Sequence, residues 1–374
     1  MLLLSIGFIL FVLAFFDKAI PLIHKQFIII FFCSLFVVLG GIRWNTGTDW
    51  LPYFYGFMDS GSFYDAVLSP FSFEWGYGIL NYIIFNLTAS YTIFLIIFTF
   101  LKVFFKYKVL VSKEFLPYGL LSLFLYFCYL SGDIISTRQF LATSLTLYSI
   151  LFIKNRKLYV FLLLVFFASL IHKSAIIFVF AYYIYWLNIS RNYLIVIFFV
   201  SMLIGVVISS LNISTLYIPI FSDFDVFISY QKKIDMYSEL GSEQVYGAID
   251  STTTNLLGIL KKILILLPIL LLRKESNIIY ARLFNLIIFG AVLYFIFGSI
   301  ATDFKRLAAY FEVIEIIVYP YYIYSIKNRD IRYVLLFIFC VAFYMRLYSG
   351  VYAFWDLLDP FYTIFDFNNY RNTW

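Results

Sequence analysis

The sequence predicts an all-α polytopic membrane protein. Of its 374 residues, 63% are hydrophobic and only 13% are charged, and the mean hydropathy is +0.93. This apolar share is far above that of a soluble domain. Apolar runs also recur from one end of the chain to the other, and a transmembrane helix needs roughly 20 such residues. We therefore expect one integral membrane domain over residues 1–374.

About twelve apolar runs are long enough, or nearly long enough, to cross a bilayer. The first is kept as a span, because it lacks the basic leader and small-residue exit of a cleaved signal peptide. Only His172 and Lys173 separate the sixth run from the seventh. The predicted spans are 2–16, 26–42, 77–101, 115–131, 134–153, 158–172, 174–189, 192–211, 255–272, 280–300, 307–326 and 331–348.

The basic residues of the short loops predict the orientation, since cytoplasmic loops carry the excess of lysine and arginine. Alternate loops are basic, and one of them is assigned Lys102, Lys106, Lys108 and Lys113. This pattern places both termini and the remaining loops outside.

Two of the outward segments are long enough to face a substrate. Segment 43–75 is rich in Gly, Pro, Trp and Tyr, which predicts a structured re-entrant or surface loop. Residue type alone favours a place in the headgroup zone for its aromatic side chains. Stacking on sugar rings is the alternative. Segment 212–254 is acidic and is either a cover for a site or an ordinary solvated loop.

Several arginines lie at the outward ends of apolar runs, against the orientation bias. Guanidinium presents a fork of donors that matches phosphate oxygens, and it stays charged. Arg138 and Arg306 each begin a predicted helix, and Arg43 follows the second span. We expect these three to bind a diphosphate; the alternative is an arginine that reaches a lipid headgroup. Arg346 is a fourth outward arginine.

Three outward residues are candidate proton acceptors. His172 lies at a helix end, where a neutral imidazole accepts a proton from a hydroxyl near neutral pH. Asp49 and Glu74 compete for this role, or pair with an arginine instead. Gln139, next to Arg138, and the tyrosines Tyr53 and Tyr310 are candidate substrate contacts, although a tyrosine in so aromatic a chain is more often a packing residue.

The remaining composition excludes other kinds of site. Cys33, Cys128 and Cys340 are isolated within apolar runs, so neither a disulfide framework nor a metal site is expected. Loop lysines account for the net charge of +6, so nucleic acid is not an expected partner.

Five motifs then occur in order along the chain, and together they resemble the EpsG-like branch of the Wzy-type polysaccharide polymerases. They are Arg43-x-x-x-Gly47-Thr48-Asp49-x-x-x-Tyr53, Glu74-x-Gly76-Tyr77, Arg138-Gln139-x-x-Ala142, His172-Lys173-Ser174-Ala175 and Arg306-Leu307-x-x-Tyr310-Phe311. The tail LLDPFYTIF is not covered by these motifs.

The resemblance implies a glycosyltransferase at the outer leaflet of a bacterial inner membrane. Such enzymes join oligosaccharide repeat units, carried on undecaprenyl diphosphate, into O-antigen, capsule or exopolysaccharide. Donor and acceptor are both undecaprenyl-diphosphate-linked oligosaccharides in membrane lipid, no cofactor is needed, and a chain-length regulator protein is an expected partner. A flippase for lipid-linked oligosaccharide, a polytopic acyltransferase and a purely structural membrane subunit are the alternatives.

Overall fold

The computed structural model describes residues 1–47, 49–69, 72–135, 138–210, 251–273, 277–300 and 304–366, with the backbone alone for 251–257. The regular elements in these ranges are helices, and a single antiparallel bridge pairs Arg43 with Thr363. The predicted outward segment 212–254 lies outside the described residues, except that its last residues begin a helix. The helices are α1 Leu2–Phe15, α2 Leu22–Ile42, α3 Trp50–Met58, α4 Trp75–Thr88, α5 Tyr91–Leu110, α6 Gly119–Leu130, α7 Arg138–Lys154, α8 Leu158–Ile171, α9 Ala181–Trp186, α10 Arg191–Ser210, α11 Ser251–Leu272, α12 Ile278–Ile300, α13 Lys305–Glu312, α14 Glu315–Tyr324, α15 Arg329–Tyr352 and α16 Trp355–Leu358.

Four of the described helices, α2, α10, α12 and α15, are long and apolar enough to cross a membrane. Shorter apolar helices are α1, α8 and the continuous helical segment Lys173–Trp186. The protein is thus an all-helical membrane protein, while the count of twelve spans stays a prediction.

Two predicted spans are each divided into two helices. The run 77–101 breaks at Ala89, which has a φ of +50°, and α5 begins after Ser90, whose side chain accepts the N–H of Ile93. Serine is a preferred N-cap because its oxygen satisfies a backbone donor of the first turn. The run 307–326 likewise divides into α13 and α14. The overall hydrophobicity of each run predicted a single span and did not show the break.

The chain divides into two compact units, of which unit 1 comprises Met1–Tyr185 and Val313–Trp374. Its centre is α6, which is buried from Gly119 to Cys128 and packs against α1, α2, α14 and α15. Helix α2 also packs along α5. A Cβ at Gly40 would lie 2.7 Å from Thr99 Cγ2, so glycine permits this close approach, as small residues commonly do between membrane helices.

Unit 2 comprises Trp186–Glu312. Within it, α12 packs against α10, α11 and α13. Gly205 allows α10 to approach α12, because a Cβ there would clash with the Phe295 carbonyl oxygen. An ion pair of 2.6 Å joins Lys262 of α11 to Glu312 of α13.

The assignment of Lys102 and Lys106 to a cytoplasmic loop is wrong. Both lie within α5, and both are 0% exposed. Lys108, assigned to the same loop, also lies within α5, in its last turn, but its side chain is exposed. Lys102 and Lys106 are four residues apart and therefore share one face of the helix.

Candidate functional site

Arg43 directly follows α2 and opens a tight turn. Its Nη1 donates to the carbonyl of Thr46 at 3.2 Å, and its side chain is 4% exposed. Asn45 and Gly47 have φ values of +43° and +100°. Glycine adopts such angles without steric cost, which explains its place in the first motif.

The C-terminal segment supports this turn. The Trp44 N–H donates to the Tyr362 carbonyl at 2.9 Å, and the Ile364 N–H donates to the Ile42 carbonyl at 2.9 Å. The tail that no sequence motif covered therefore fixes the backbone on both sides of Arg43.

An aromatic cluster underlies the predicted outward loop 43–75, which contains a helix, α3. Trp50 and Phe57 of α3 contact Tyr91 and Phe94 at the start of α5, with ring centroids 5.3 to 5.4 Å apart. Such tilted and edge contacts add to the apolar burial. Asp49 precedes α3, is exposed, and makes no side-chain cap bond.

Arg138 is the residue at which separate segments meet. It begins α7 and forms a salt bridge with Glu74, the residue before α4. Its Nε donates to the Tyr53 hydroxyl of α3 at 3.3 Å. Its guanidinium carbon lies 4.4 Å from the centroid of Phe73, a cation–π contact. The guanidinium is thus oriented from several sides while Arg138 stays 19% exposed and Glu74 stays 15% exposed.

Gly76 brings the start of α4 against the end of α8. A Cβ at Gly76 would lie 2.9 Å from the backbone carbon, the backbone oxygen and the Cβ of Leu170. Glu74 lies two residues before this contact, and His172 lies two residues after it. The glycine of the second motif therefore joins two segments that carry candidate residues.

Gly76→Ala is expected to destabilise the protein by about 1–3 kcal/mol, because the added methyl group overpacks a backbone contact. Gly350→Ala is the matched control, since Gly350 also lies in a helix and has nothing within 4 Å of its Cβ position. Thermal unfolding of the purified variants measures the difference. Equal melting temperatures for the two variants would contradict the close contact.

His172 lies between two helical segments. It follows α8 with φ −152° and ψ 110°, and its Nδ1 lies 2.7 Å from Ser174 Oγ. The side chain is half-buried. Because Ser174 lies at hydrogen-bond distance from Nδ1, the orientation of the ring is defined. Ala175 of the same motif is 0% exposed, so its small size serves packing.

The two units divide the predicted site residues. Unit 1 contains most of them, namely Arg43, Asp49, Tyr53, Glu74, Arg138, Gln139 and His172, while unit 2 contains Arg306 and Tyr310. Arg306 is exposed in the first turn of α13. Tyr310 is 0% exposed, so it packs inside unit 2. This packing role is the alternative to the substrate contact predicted from the sequence.

Arg346, the fourth predicted outward arginine, lies against an aromatic ring of α6. Its guanidinium carbon lies 4.0 Å from the ring centroid of Tyr129, whose hydroxyl donates to the buried carboxylate of Glu315. Sequence reasoning missed Glu315, and it also missed Phe73 under Arg138. An acidic residue within an apolar run was the available signal for Glu315, whereas a single phenylalanine among so many gave none.

Two cationic residues at helix ends have their pKa altered by burial. Burial lowers the pKa of Arg43, and the neighbouring Tyr91, Tyr77 and Asp49 act in the opposite direction. A guanidinium still remains protonated at neutral pH. Burial also lowers the pKa of Lys305, next to Arg306. Arg43 is thus a buried positive charge close to Tyr53 and Tyr77, the rings that also lie beside Arg138.

Comparison with known proteins agrees with the motifs. No curated protein and no solved structure matches the chain. Residues 25–363 match the EpsG family, and this range contains all five motifs. Membership of this family implies a polysaccharide polymerase-like function. The chain belongs to the EpsG family.

Proposed function

We propose that this protein joins undecaprenyl-diphosphate-linked oligosaccharide repeat units into O-antigen, capsule or exopolysaccharide at the outer face of a bacterial inner membrane. One observation carries the proposal: Arg138, at a helix start, is oriented by Glu74, Tyr53 and Phe73 and is still partly exposed. A preorganised cation of this kind stabilises negative charge as it forms.

The reaction breaks the bond between the anomeric carbon of the donor and an oxygen of its lipid diphosphate. The hydroxyl oxygen of the acceptor sugar forms the new bond to that carbon and loses its proton to a base. The negative charge stays on the departing lipid diphosphate. Arg138 stabilises this charge, because its planar donors match phosphate oxygens. Arg43 adds a second cation, which is buried.

His172 is the proposed base. In the proposed tautomer, Nδ1 carries the hydrogen and donates it to Ser174 Oγ, 2.7 Å away, so that Nε2 accepts the proton of the acceptor hydroxyl. Glu74 is less suited, because a carboxylate paired with a guanidinium is a weaker proton acceptor. Asp49 is exposed and competes with His172 for the role or binds a sugar hydroxyl.

Polar and aromatic neighbours of Arg138 complete the proposed substrate surface. Tyr53 is half-buried, and Gln139 is partly exposed at the start of α7. Aromatic rings suit stacking on sugar, and the amide of Gln139 suits hydrogen bonding to hydroxyl groups. Membrane lipid surrounds the carrier chains, and a chain-length regulator protein is a proposed partner.

Arg306 is proposed as a further diphosphate ligand, since it is exposed at the start of α13. Arg306→Ala is expected to lower polymer yield at least tenfold with unchanged protein level in the membrane. Arg306→Lys is expected to rescue poorly, because lysine keeps the charge but loses the fork of donors. Full activity of Arg306→Lys, measured by polymer yield, would contradict bidentate binding.

Gel analysis of lipid-linked surface polysaccharide tests the function in cells. Deletion of the gene is expected to replace the polymer ladder with a band of single repeat units, and the wild-type gene is expected to restore the ladder. Loss of the single-repeat band as well would support a flippase instead. An unchanged ladder with altered acylation would support an acyltransferase, and either result would overturn the polymerase proposal.

A further inference from the structure

Unit 1 contains a buried polar cluster that the proposed chemistry does not use. Lys106 of α5 and Asp133, which follows α6, are both 0% exposed, and Lys106 Nζ lies 2.7 Å from Asp133 Oδ2. The Tyr126 hydroxyl donates to the same carboxylate oxygen at 2.6 Å. Burial of an ion pair costs desolvation energy, and apolar residues of similar volume often serve stability equally well. Stability alone is therefore a weak reason for this cluster.

The cluster holds an unusual backbone turn between α6 and α7. Ser131, Gly132 and Asp133 have φ values of +47°, +61° and +61°. A non-glycine residue in this left-handed region costs about 1–3 kcal/mol and persists only when its surroundings hold it there. Lys102 Nζ donates to the Asp133 carbonyl at 2.9 Å. Two lysines of α5 therefore fix the backbone and the side chain of Asp133.

Lys106 also binds the start of α7. Its Nζ donates to Ser144 Oγ at 2.6 Å and to the Phe140 carbonyl at 3.3 Å. Phe140 lies two residues after Arg138. A single ammonium group thus connects the turn at Asp133 with the first two turns of the helix that begins with Arg138.

We infer that Lys106 is a positioning residue, which fixes the start of α7 and thereby the guanidinium of Arg138 relative to the lipid diphosphate. This inference rests on the proposed function. It deepens that function by adding a residue that never touches the substrate. A displacement of 1 Å in an active site can lower the rate about 100-fold, so a rigid connection close to Arg138 has a direct catalytic consequence.

Lys106→Met tests the inference, because methionine keeps most of the side-chain length and removes the charge. We expect turnover of purified enzyme on lipid-linked repeat units to fall about 10- to 100-fold, with less than a threefold change in KM. Lys108→Met is the matched control, since Lys108 is exposed on the same helix. Its turnover should stay within twofold of wild type.

The charge-neutral triple variant Lys102→Met/Lys106→Met/Asp133→Asn separates positioning from folding. Removing only Lys106 and Asp133 would leave Lys102, which lies beside Asp133 and is 0% exposed, as a buried cation without its carboxylate. An uncompensated buried charge is strongly destabilising, whereas removing all three charges avoids that penalty. The triple variant should therefore be close to wild type in thermal stability and still turn over at least tenfold more slowly. Recovery of turnover together with stability would overturn the inference.

Hydrogen exchange provides a readout that does not depend on polymerisation. Amides of residues 138–145 should exchange faster in the triple variant than in wild type and Lys108→Met. Unchanged exchange in this segment would overturn the positioning role, whatever the activity. A wild-type protein that makes no polymer would overturn the proposed function, while the exchange of residues 138–145 would still decide whether Lys106 fixes α7.

Discussion

Arg138→Ala is expected to abolish polymer formation while the protein remains folded in the membrane. The guanidinium forms a salt bridge with Glu74, donates a hydrogen bond from Nε to the Tyr53 hydroxyl and lies over the ring of Phe73. Loss of one preorganised donor to a developing charge typically lowers the rate about 10²- to 10³-fold. We expect at least this loss, measured as polymer formed per unit of membrane-inserted protein. Arg138→Lys should recover little, because lysine lacks the planar fork of donors.

Arg329→Ala is the matched control for this variant. Arg329 also begins a helix, and its guanidinium also lies near an aromatic ring, 5.8 Å from the centroid of Tyr333. Its replacement should leave polymer length and yield unchanged. Equal losses in both variants would show that the effect is not specific to the Arg138 neighbourhood and would remove the support for a diphosphate ligand there.

His172→Ala is expected to lower turnover about 10²- to 10⁴-fold, the usual contribution of a general base. Binding of the lipid-linked donor should be retained, because the proposed diphosphate ligands are unchanged. Ser174→Ala should have a smaller effect, since it removes only the partner that orients the ring. Turnover of purified enzyme and binding of labelled lipid-linked repeat units measure the two quantities separately.

His24→Ala is the control, because His24 is the other histidine of the chain and is exposed near the start of α2. It should behave like wild type. Near-normal turnover of His172→Ala would exclude His172 as the base. The role would then pass to Asp49, since Glu74 is paired with Arg138.

Part of the candidate site could be predicted from the sequence, because its charged residues stand out against the apolar runs around them. An arginine at the end of an apolar run is rare, and Arg138 indeed begins a helix. The glycines could be interpreted from backbone requirements: Gly47 has a φ of +100°, and Gly76 contacts the backbone of α8. The pairing of Glu74 with an arginine was one of the alternatives that the residue types allowed.

Other features were hidden because hydrophobicity alone does not report helix breaks or long-range partners. The run 77–101 reads as one span, although a left-handed residue at Ala89 divides it. Lys102 and Lys106 looked like loop charges, because their compensating partner, Asp133, is distant in the sequence and meets them only in the folded bundle. Contacts of the C-terminal tail with the Arg43 turn depend on tertiary structure in the same way.

The most direct test of the polymerase proposal uses purified protein in liposomes that contain lipid-linked repeat units and no sugar nucleotide. We expect polymer to form with the release of one lipid diphosphate for each new glycosidic bond, and we expect neither product with Arg138→Ala. Movement of intact repeat units across the bilayer without polymer, or polymer formed equally well by Arg138→Ala, would contradict the account.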